Sequence, residues 1–199
     1  MLDGMDVDKT KLGSWVWVKI VGREGHTTRV ITAYQLVRAG KRSLRSAYSQ
    51  QRRYYKQQGE RECPRKLFMR YLITKIKEWI SQGDPLIPML DANKDMKNGN
   101  LSRAIGSEPK LKMKDLVRER ECTDVLEKWC RGTKHIDGAF ATTDVDFWGD
   151  RFIPFCFGIR DHRAVLVDIT HQSLLEEQVL KVVRPQVRRL QCGLTGPKR

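Results

Sequence analysis

The segment Pro85-Leu-Ile-Pro-Met-Leu-Asp-Ala-Asn93 is a short apolar run that stops abruptly at an acid and an amide. Bounded by Gly83 before it and polar residues after it, the run reads as a buried strand. Just upstream, Leu67, Phe68, Tyr71, Leu72, Ile76, Trp79 and Ile80 recur at helical spacing behind Pro64, a residue tolerated in a first helical turn. A helix delivered straight into a buried strand packs as layers, which constrains the chain to an α/β class. While the backbone stays extended, Asp91 and Asn93 leave the same face, so one can act on a proton or a cation while the other donates a hydrogen bond. The same two residues are equally ordinary at a strand-to-loop turn, where they bond their own backbone.

The remaining punctuation fits that class. Trp15–Val21 and Thr27–Tyr34 are β-branched and aromatic runs joined by Gly22-Arg-Glu-Gly25, the pattern of a hairpin with Tyr34 at its end. The polar, acidic residues before Trp15 read as a lead-in to the sheet. Residues 94–107 read as a surface loop with Asn98-Gly99-Asn100 at its tip, and Leu111–Trp129 as one or two short helices broken near Cys122. Lys134–Thr142, Phe152–Phe157 and Arg160–Ile169 read as strands, and Leu174–Leu190 as a helix broken at Pro185 before a basic tail. The chain divides into residues 1–170, one layered unit, and 171–199, a terminal helix and tail.

Charge narrows the partners. Across 199 residues, 38 Lys and Arg against 24 Asp and Glu leave a net charge of +14. The excess is concentrated in residues 35–66, where ten basic side chains stand against Glu60 and Glu62, a local charge of +8. Arg38, Lys41, Arg42, Arg45, Arg52 and Arg53 are the candidate contacts to a polyanion, DNA or RNA, and the interleaved Tyr48, Tyr54 and Tyr55 suit base stacking. A solvated basic loop would have the same composition. No apolar run approaches the roughly 20 residues of a membrane helix, and the N-terminus lacks the basic start and apolar core of a signal peptide. The five cysteines are scattered without metal-ligand spacing, as expected of free thiols in a reducing compartment. An intracellular location follows as the expectation, the nucleus included, with no membrane and no obligate protein partner.

Two further polar groups interrupt apolar runs. Asp137 stands inside Lys134-His-Ile-Asp-Gly-Ala-Phe-Ala-Thr142, where a carboxylate requires a partner. Asp161 and His162 open the last strand, an arrangement able to bind a hard cation through oxygen while the imidazole stabilises a phosphoryl oxygen.

In their order along the chain these motifs resemble those of the endonuclease/exonuclease/phosphatase superfamily, which includes DNase I-like enzymes, abasic-site endonucleases and the endonuclease domains of non-LTR retroelements. Val30-Ile-Thr-Ala-Tyr34 resembles the family's strand ending in a phosphate-contacting Tyr. Met89-Leu-Asp-Ala-Asn93 resembles its G-D-x-N segment, Lys134-His-Ile-Asp137 its R-I-D-Y segment, and Arg160-Asp-His-Arg163 its S-D-H segment. The resemblance spans about residues 15–169. It implies a four-layer α/β/β/α sandwich, of which this chain is mainly the carboxyl-terminal half, and Mg²⁺-dependent hydrolysis of phosphodiesters. By the same resemblance Asp91 orients or deprotonates the attacking water and Asn93 helps position it. Asp161 contacts the metal region, His162 bonds the scissile phosphate with Asp137 holding its ring, and Tyr34 bonds a phosphate oxygen. Leu90, Gly138 and Arg160 depart from the family's residues at their positions. The early Asn and the metal-ligand Glu of the family have no match, so the resemblance implies an N-terminally truncated chain. Two functions stay open: a metal-dependent nuclease of retroelement type with impaired turnover, or a catalytically silent remnant that binds nucleic acid through residues 35–66.

Overall fold

The computed structural model describes residues 2–8, 12–40, 43, 45–94, 105, 111, 113–117, 136–152 and 165–176. The anticipated hairpin is present as β2 (Trp15–Val21) and β3 (Thr27–Tyr34), antiparallel and in continuous register. Its turn includes Gly25 in the left-handed region at φ +80°, where a side chain would be strained. From β3 the chain passes through α1 (Ala47–Gln57) and α2 (Pro64–Ser81) into β4 (Leu86–Asp91), which lies parallel to β3. Parallel neighbours cannot be joined by a tight turn, so the helices form the crossover that the geometry demands.

The sheet continues with β5 (Met113–Asp115) and β6 (Asp137–Thr142), giving the order β1-β2-β3-β4-β6-β5, where β1 is Leu2–Val7. A second, two-stranded sheet pairs β7 (Phe147–Phe152) with β8 (Val165–Ile169), and a short α3 (His171–Leu175) follows. Two cores separate three layers. Leu67, Phe68, Leu72, Ile76 and Trp79 of α2 cover one face of the large sheet, against Trp15, Ile31, Ala33, Leu86 and Leu90. Each Leu or Ile so buried contributes about 1.5–3 kcal/mol of transfer free energy. On the other face, Ile87, Leu116, Ala139 and Ala141 meet Phe147, Val165, Val167 and Ile169 of the small sheet. Gly83, at φ +84°, stops α2 and lets the chain drop into β4.

Several sequence expectations are corrected. The acidic N-terminal residues form a strand, not a lead-in: β1 pairs with β2 and is an edge strand. Within the basic segment lies α1, capped by the Ser46 hydroxyl, which accepts from the Ser49 N–H at 3.2 Å. It buries Tyr48 and Tyr55, leaving those two rings unavailable for stacking on bases. Met113–Asp115 is a strand where a helix was anticipated, because Leu111, Met113 and Leu116 mimic helical spacing. The described residues place β7 at Phe147–Phe152 and α3 at His171–Leu175, followed by Glu176 at φ +53°, and the rest of the strand anticipated at Phe152–Phe157 and of the helix anticipated at Leu174–Leu190 falls outside them. Residues 118–135, 153–164 and 177–199 lie outside the described residues. Among those described, no helix is long and apolar enough to cross a membrane.

Register also fixes what is left uncovered. Leu2, Met5 and Val7 pair with Ile20, Val18 and Val16, which share the face carrying Val30. Leu2 and Met5 are 69% and 74% exposed, so this apolar face is open at the β1 edge. α3 closes the far end of the hairpin, where the His26 ring bonds the Ser173 carbonyl at 2.9 Å and a Cβ on Gly22 would lie 2.2 Å from the Leu175 carbonyl oxygen.

Beneath the sheet, the Arg29 guanidinium is buried, hydrogen-bonded to Asp84, and stands 4.5 Å from the Trp17 ring centroid. Burial alone would raise the Asp84 carboxyl, but hydrogen bonds from Thr27 and Arg29 outweigh it and hold Asp84 below the usual carboxylate range. A depressed carboxyl contributes stability above its unfolded value, near ~3.9, and loses it as pH falls through the folded value. Asp84→Asn is therefore expected to cost about 3 kcal/mol near neutral pH, because it leaves a buried guanidinium without its counter-charge. Urea denaturation from pH 7 to pH 3 checks this: the gap between wild type and variant should narrow on the acid side of pH ~4, and a constant gap would contradict the assignment.

Candidate active site

Three strands bring three of the anticipated residues together. Because β3 and β4 run parallel, both carboxyl ends lie at one end of the sheet, and Tyr34 pairs with Asp91. β6 runs the other way and begins at that end, so Asp91 pairs in turn with Asp137. Tyr34, Asp91 and Asp137 all line a cleft of about 630 Å³ between the two sheets. The other walls are largely apolar and include Ile87, Met89, Leu116 and Val167. Directly opposed residues of antiparallel strands have Cα atoms about 4.5–5.5 Å apart. Two acidic side chains on neighbouring strands and on one face give the cleft edge a local negative charge, which favours nearby positive charge.

Asn93 departs from the extended geometry expected of it. The strand ends at Asp91, Ala92 is buried, and Asn93 turns into the left-handed region at φ +43°. Its backbone N–H donates to Asp91 Oδ1 at 3.0 Å, and its side-chain amide donates to the Gln35 carbonyl at 2.9 Å. The turn-forming alternative for this pair is therefore the local geometry, although it holds Asp91 at the cleft. Asp161 and His162 lie outside the described residues, as do Lys41 and Arg42. Arg38, Arg45, Arg52 and Arg53 are exposed, with Arg45 and Arg53 beside Tyr54 in a shallow surface depression on α1.

Sequence reasoning missed Arg65. From the first turn of α2 its guanidinium donates to the Leu36 carbonyl and Gln35 Oε1, both at 2.5 Å, and to the Ala92 carbonyl at 3.1 Å. The loops that follow β3 and β4 are thereby tied to one cation. Burial pushes the Arg65 pKa down, while the negative charge of Asp91 is among the opposing influences that favour its charged form. An arginine remains protonated under such a shift. A signal for it existed: a cation in the first helical turn opposes the helix dipole and calls for acceptors of its own.

The donor set is chemically suited to a hard cation, since Mg²⁺ takes carboxylate, water and phosphate oxygens. Among the described residues no three His, Cys, Asp or Glu side chains converge on one point, so Asp91 and Asp137 are the acidic groups available at the cleft.

No protein-family model matches the chain, and no curated protein matches it in sequence. Solved structures match it in architecture. Helices over a mixed sheet, a second sheet behind it and a cleft at the strand ends define the DNase I-like fold, that of the endonuclease/exonuclease/phosphatase proteins. The human Nocturnin catalytic domain, solved with bound sulfate, superposes with a TM-score of 0.55 at 13% identity, over 85% of this chain and 59% of that one. An endonuclease/exonuclease/phosphatase protein from Bacteroides vulgatus gives 0.53 at 16% identity, over 78% and 54%. The Xenopus laevis APE2 catalytic domain gives 0.50 at 14% identity, over 79% and 56%. At such identities the likeness is one of fold alone, and the chain spans 54–59% of the length of these three.

Removing the Arg65 guanidinium strands buried carbonyls on two loops. Arg65→Met is expected to lower stability by about 1–3 kcal/mol, and Arg65→Lys to recover only part of it, since one ammonium cannot reproduce the guanidinium fork. Urea midpoints of the three proteins check this; a loss below about 0.5 kcal/mol would mean that the loops hold each other without the clamp.

Proposed function

We propose that this chain is a nucleic-acid-binding protein of phosphodiesterase type, whose cleft edge receives a backbone phosphate and whose hydrolytic turnover is slow. The observation that carries it is the register Tyr34–Asp91–Asp137 across three adjacent strands at one cleft. Tyr34 offers a phenol to a phosphate oxygen. Asp91, held by the Asn93 N–H, accepts a hydrogen bond from the attacking water and takes its proton. By the family resemblance Asp137 would orient the His162 imidazole, and His162 would donate to the scissile phosphate. Asp161 is the residue that would hold Mg²⁺, which would supply charge neutralisation at the phosphate oxygens when bound.

Slow turnover follows from the donor count. Among the described residues Asp91 and Asp137 are the acidic groups lining the cleft, and a loosely held cation costs orders of magnitude in rate. A second reading, a catalytically silent retroelement remnant that retains nucleic-acid binding, is favoured by one feature: an oxygen of Asp91 is already engaged by its own turn.

Both readings share the ligand. With about four phosphates neutralised on duplex DNA, log K should fall against log salt with a slope near −3.6. Each of Arg45→Ser, Arg52→Ser and Arg53→Ser should reduce that slope by about one if the side chain contacts a phosphate. A flat salt response removes the nucleic-acid assignment. Plasmid and abasic-site DNA, incubated with Mg²⁺ or EDTA, should show little cleavage. Robust cleavage lost with EDTA, Asp91→Ala and His162→Ala would refute slow turnover and establish an active enzyme.

A further inference from the structure

The opposite face of the large sheet carries a second cavity, unrelated to the phosphate cleft. Where β1 and β2 overhang the flank of α2, Trp15, Trp17, Tyr54 and Tyr71 wall a pocket of about 500 Å³, within the usual range for small-ligand sites. Its charged lining residues are Asp6, Asp8, Glu78 and Lys75, with Val7 and Thr74 between them. Three carboxylates against one ammonium make this the reverse of a chain that carries +14 overall. The Asp8 carboxylate is 1% exposed and fixed by the Ser14 N–H at 2.6 Å, whereas Asp6 is exposed at the rim.

The neighbouring contacts indicate what such walls accommodate. Lys75 Nζ is held by both Glu78 oxygens, at 2.7 and 2.8 Å, and stands 5.5 Å from the Trp79 ring centroid. Arg29 repeats the arrangement over Trp17, with Asp84 as its counter-ion. In both cases an apolar stem packs along aromatic rings and a charged head meets a carboxylate. Ring faces attract cations by about 0.5–2 kcal/mol, more as water is excluded, and a nearby fixed carboxylate adds to that attraction. The same charges repel phosphates, so the pocket discriminates against the polyanion proposed for the cleft.

We propose that this pocket binds a cationic head on an apolar stem, a quaternary ammonium or a guanidinium. The group can come from a free small molecule or from a trimethyllysine or arginine side chain of a polypeptide, and the recognition chemistry is the same. Calorimetric titration of the full chain with choline and with its neutral isostere 3,3-dimethylbutan-1-ol isolates the charge from the shape. Choline should saturate at least about tenfold more tightly than the isostere. Acetyl-trimethyllysine amide and acetyl-arginine amide form the second arm: saturation as tight as choline assigns the source to a polypeptide, and saturation by choline alone assigns it to a free cation.

Asp6→Asn and Tyr71→Leu alter an exposed and a half-buried side chain, and circular dichroism will confirm that each variant folds. Each should weaken choline several-fold while leaving the salt slope of DNA binding unchanged. Equal affinity for choline and the isostere, no saturation by any cation, or choline binding indifferent to both substitutions would overturn the proposal. The choline titration itself involves neither phosphate nor metal, so its failure is distinct from failure of the cleft assignment.

Discussion

The parallel pairing of β3 with β4 is the constraint on which the rest depends. Had these strands been antiparallel, Tyr34 and Asp91 would stand at opposite ends of the sheet, and no single cleft could receive both. Parallel pairing requires a long crossover, which α1 and α2 supply. α2 in turn must bury one face, and its Leu67, Leu72, Ile76 and Trp79 do so against β3 and β4 themselves. The pairing that aligns the polar ends and the packing that stabilises the crossover are thus one structural event.

Two arginines secure that event at its two ends. At the amino end of β4, Arg29 and Asp84 join β3 to the turn after α2, and the indoles of Trp17 and Trp79 flank the guanidinium. At the carboxyl end, Arg65 joins the loops after both strands. Desolvating a guanidinium is costly unless its donors are satisfied. Arg65 meets carbonyl oxygens and an amide oxygen from loops close in space but far apart in sequence, which favours one relative placement of Tyr34 and Asp91 over others. A hydrophobic residue in either place would pack without that directional requirement.

Legibility in the sequence followed local strength of pattern. The hairpin and α2 were readable because β-branched alternation and 3.6-residue spacing each ran for two turns or more between Gly or Pro boundaries. β1 was not, since Asp3, Gly4 and Asp6 are poor strand residues and only an edge position tolerates them. α1 was hidden by its Gln and Arg content, which carries little apolar periodicity. Tyr34, Asp91 and Asp137 were legible as strand-end polar groups, but their adjacency was a matter of register, which motif order alone does not contain. Asn93 shows the limit of extrapolating an extended chain: one left-handed residue redirected its amide from the cleft to Gln35.

Charge and cleft are joined at the same end of the sheet. Gln51 of α1 donates to the Ser14 hydroxyl at 3.3 Å, and the Ser14 carbonyl accepts from the Tyr34 N–H at 2.9 Å. The exposed arginines of α1 therefore sit one short hydrogen-bonded chain from the cleft edge, and Arg38 is only four residues beyond Tyr34. The amino terminus of α2 adds the positive end of its dipole beside Arg65. At physiological ionic strength a surface charge acts over about 8 Å. On the proposed function, a polyanion drawn to α1 would be concentrated beside the cleft without the arginines having to touch the phosphate proposed to sit there. The proposed affinity and turnover would then be separable properties, the first residing in a solvent-exposed helix and sensitive to salt, the second in strand-end groups fixed by register.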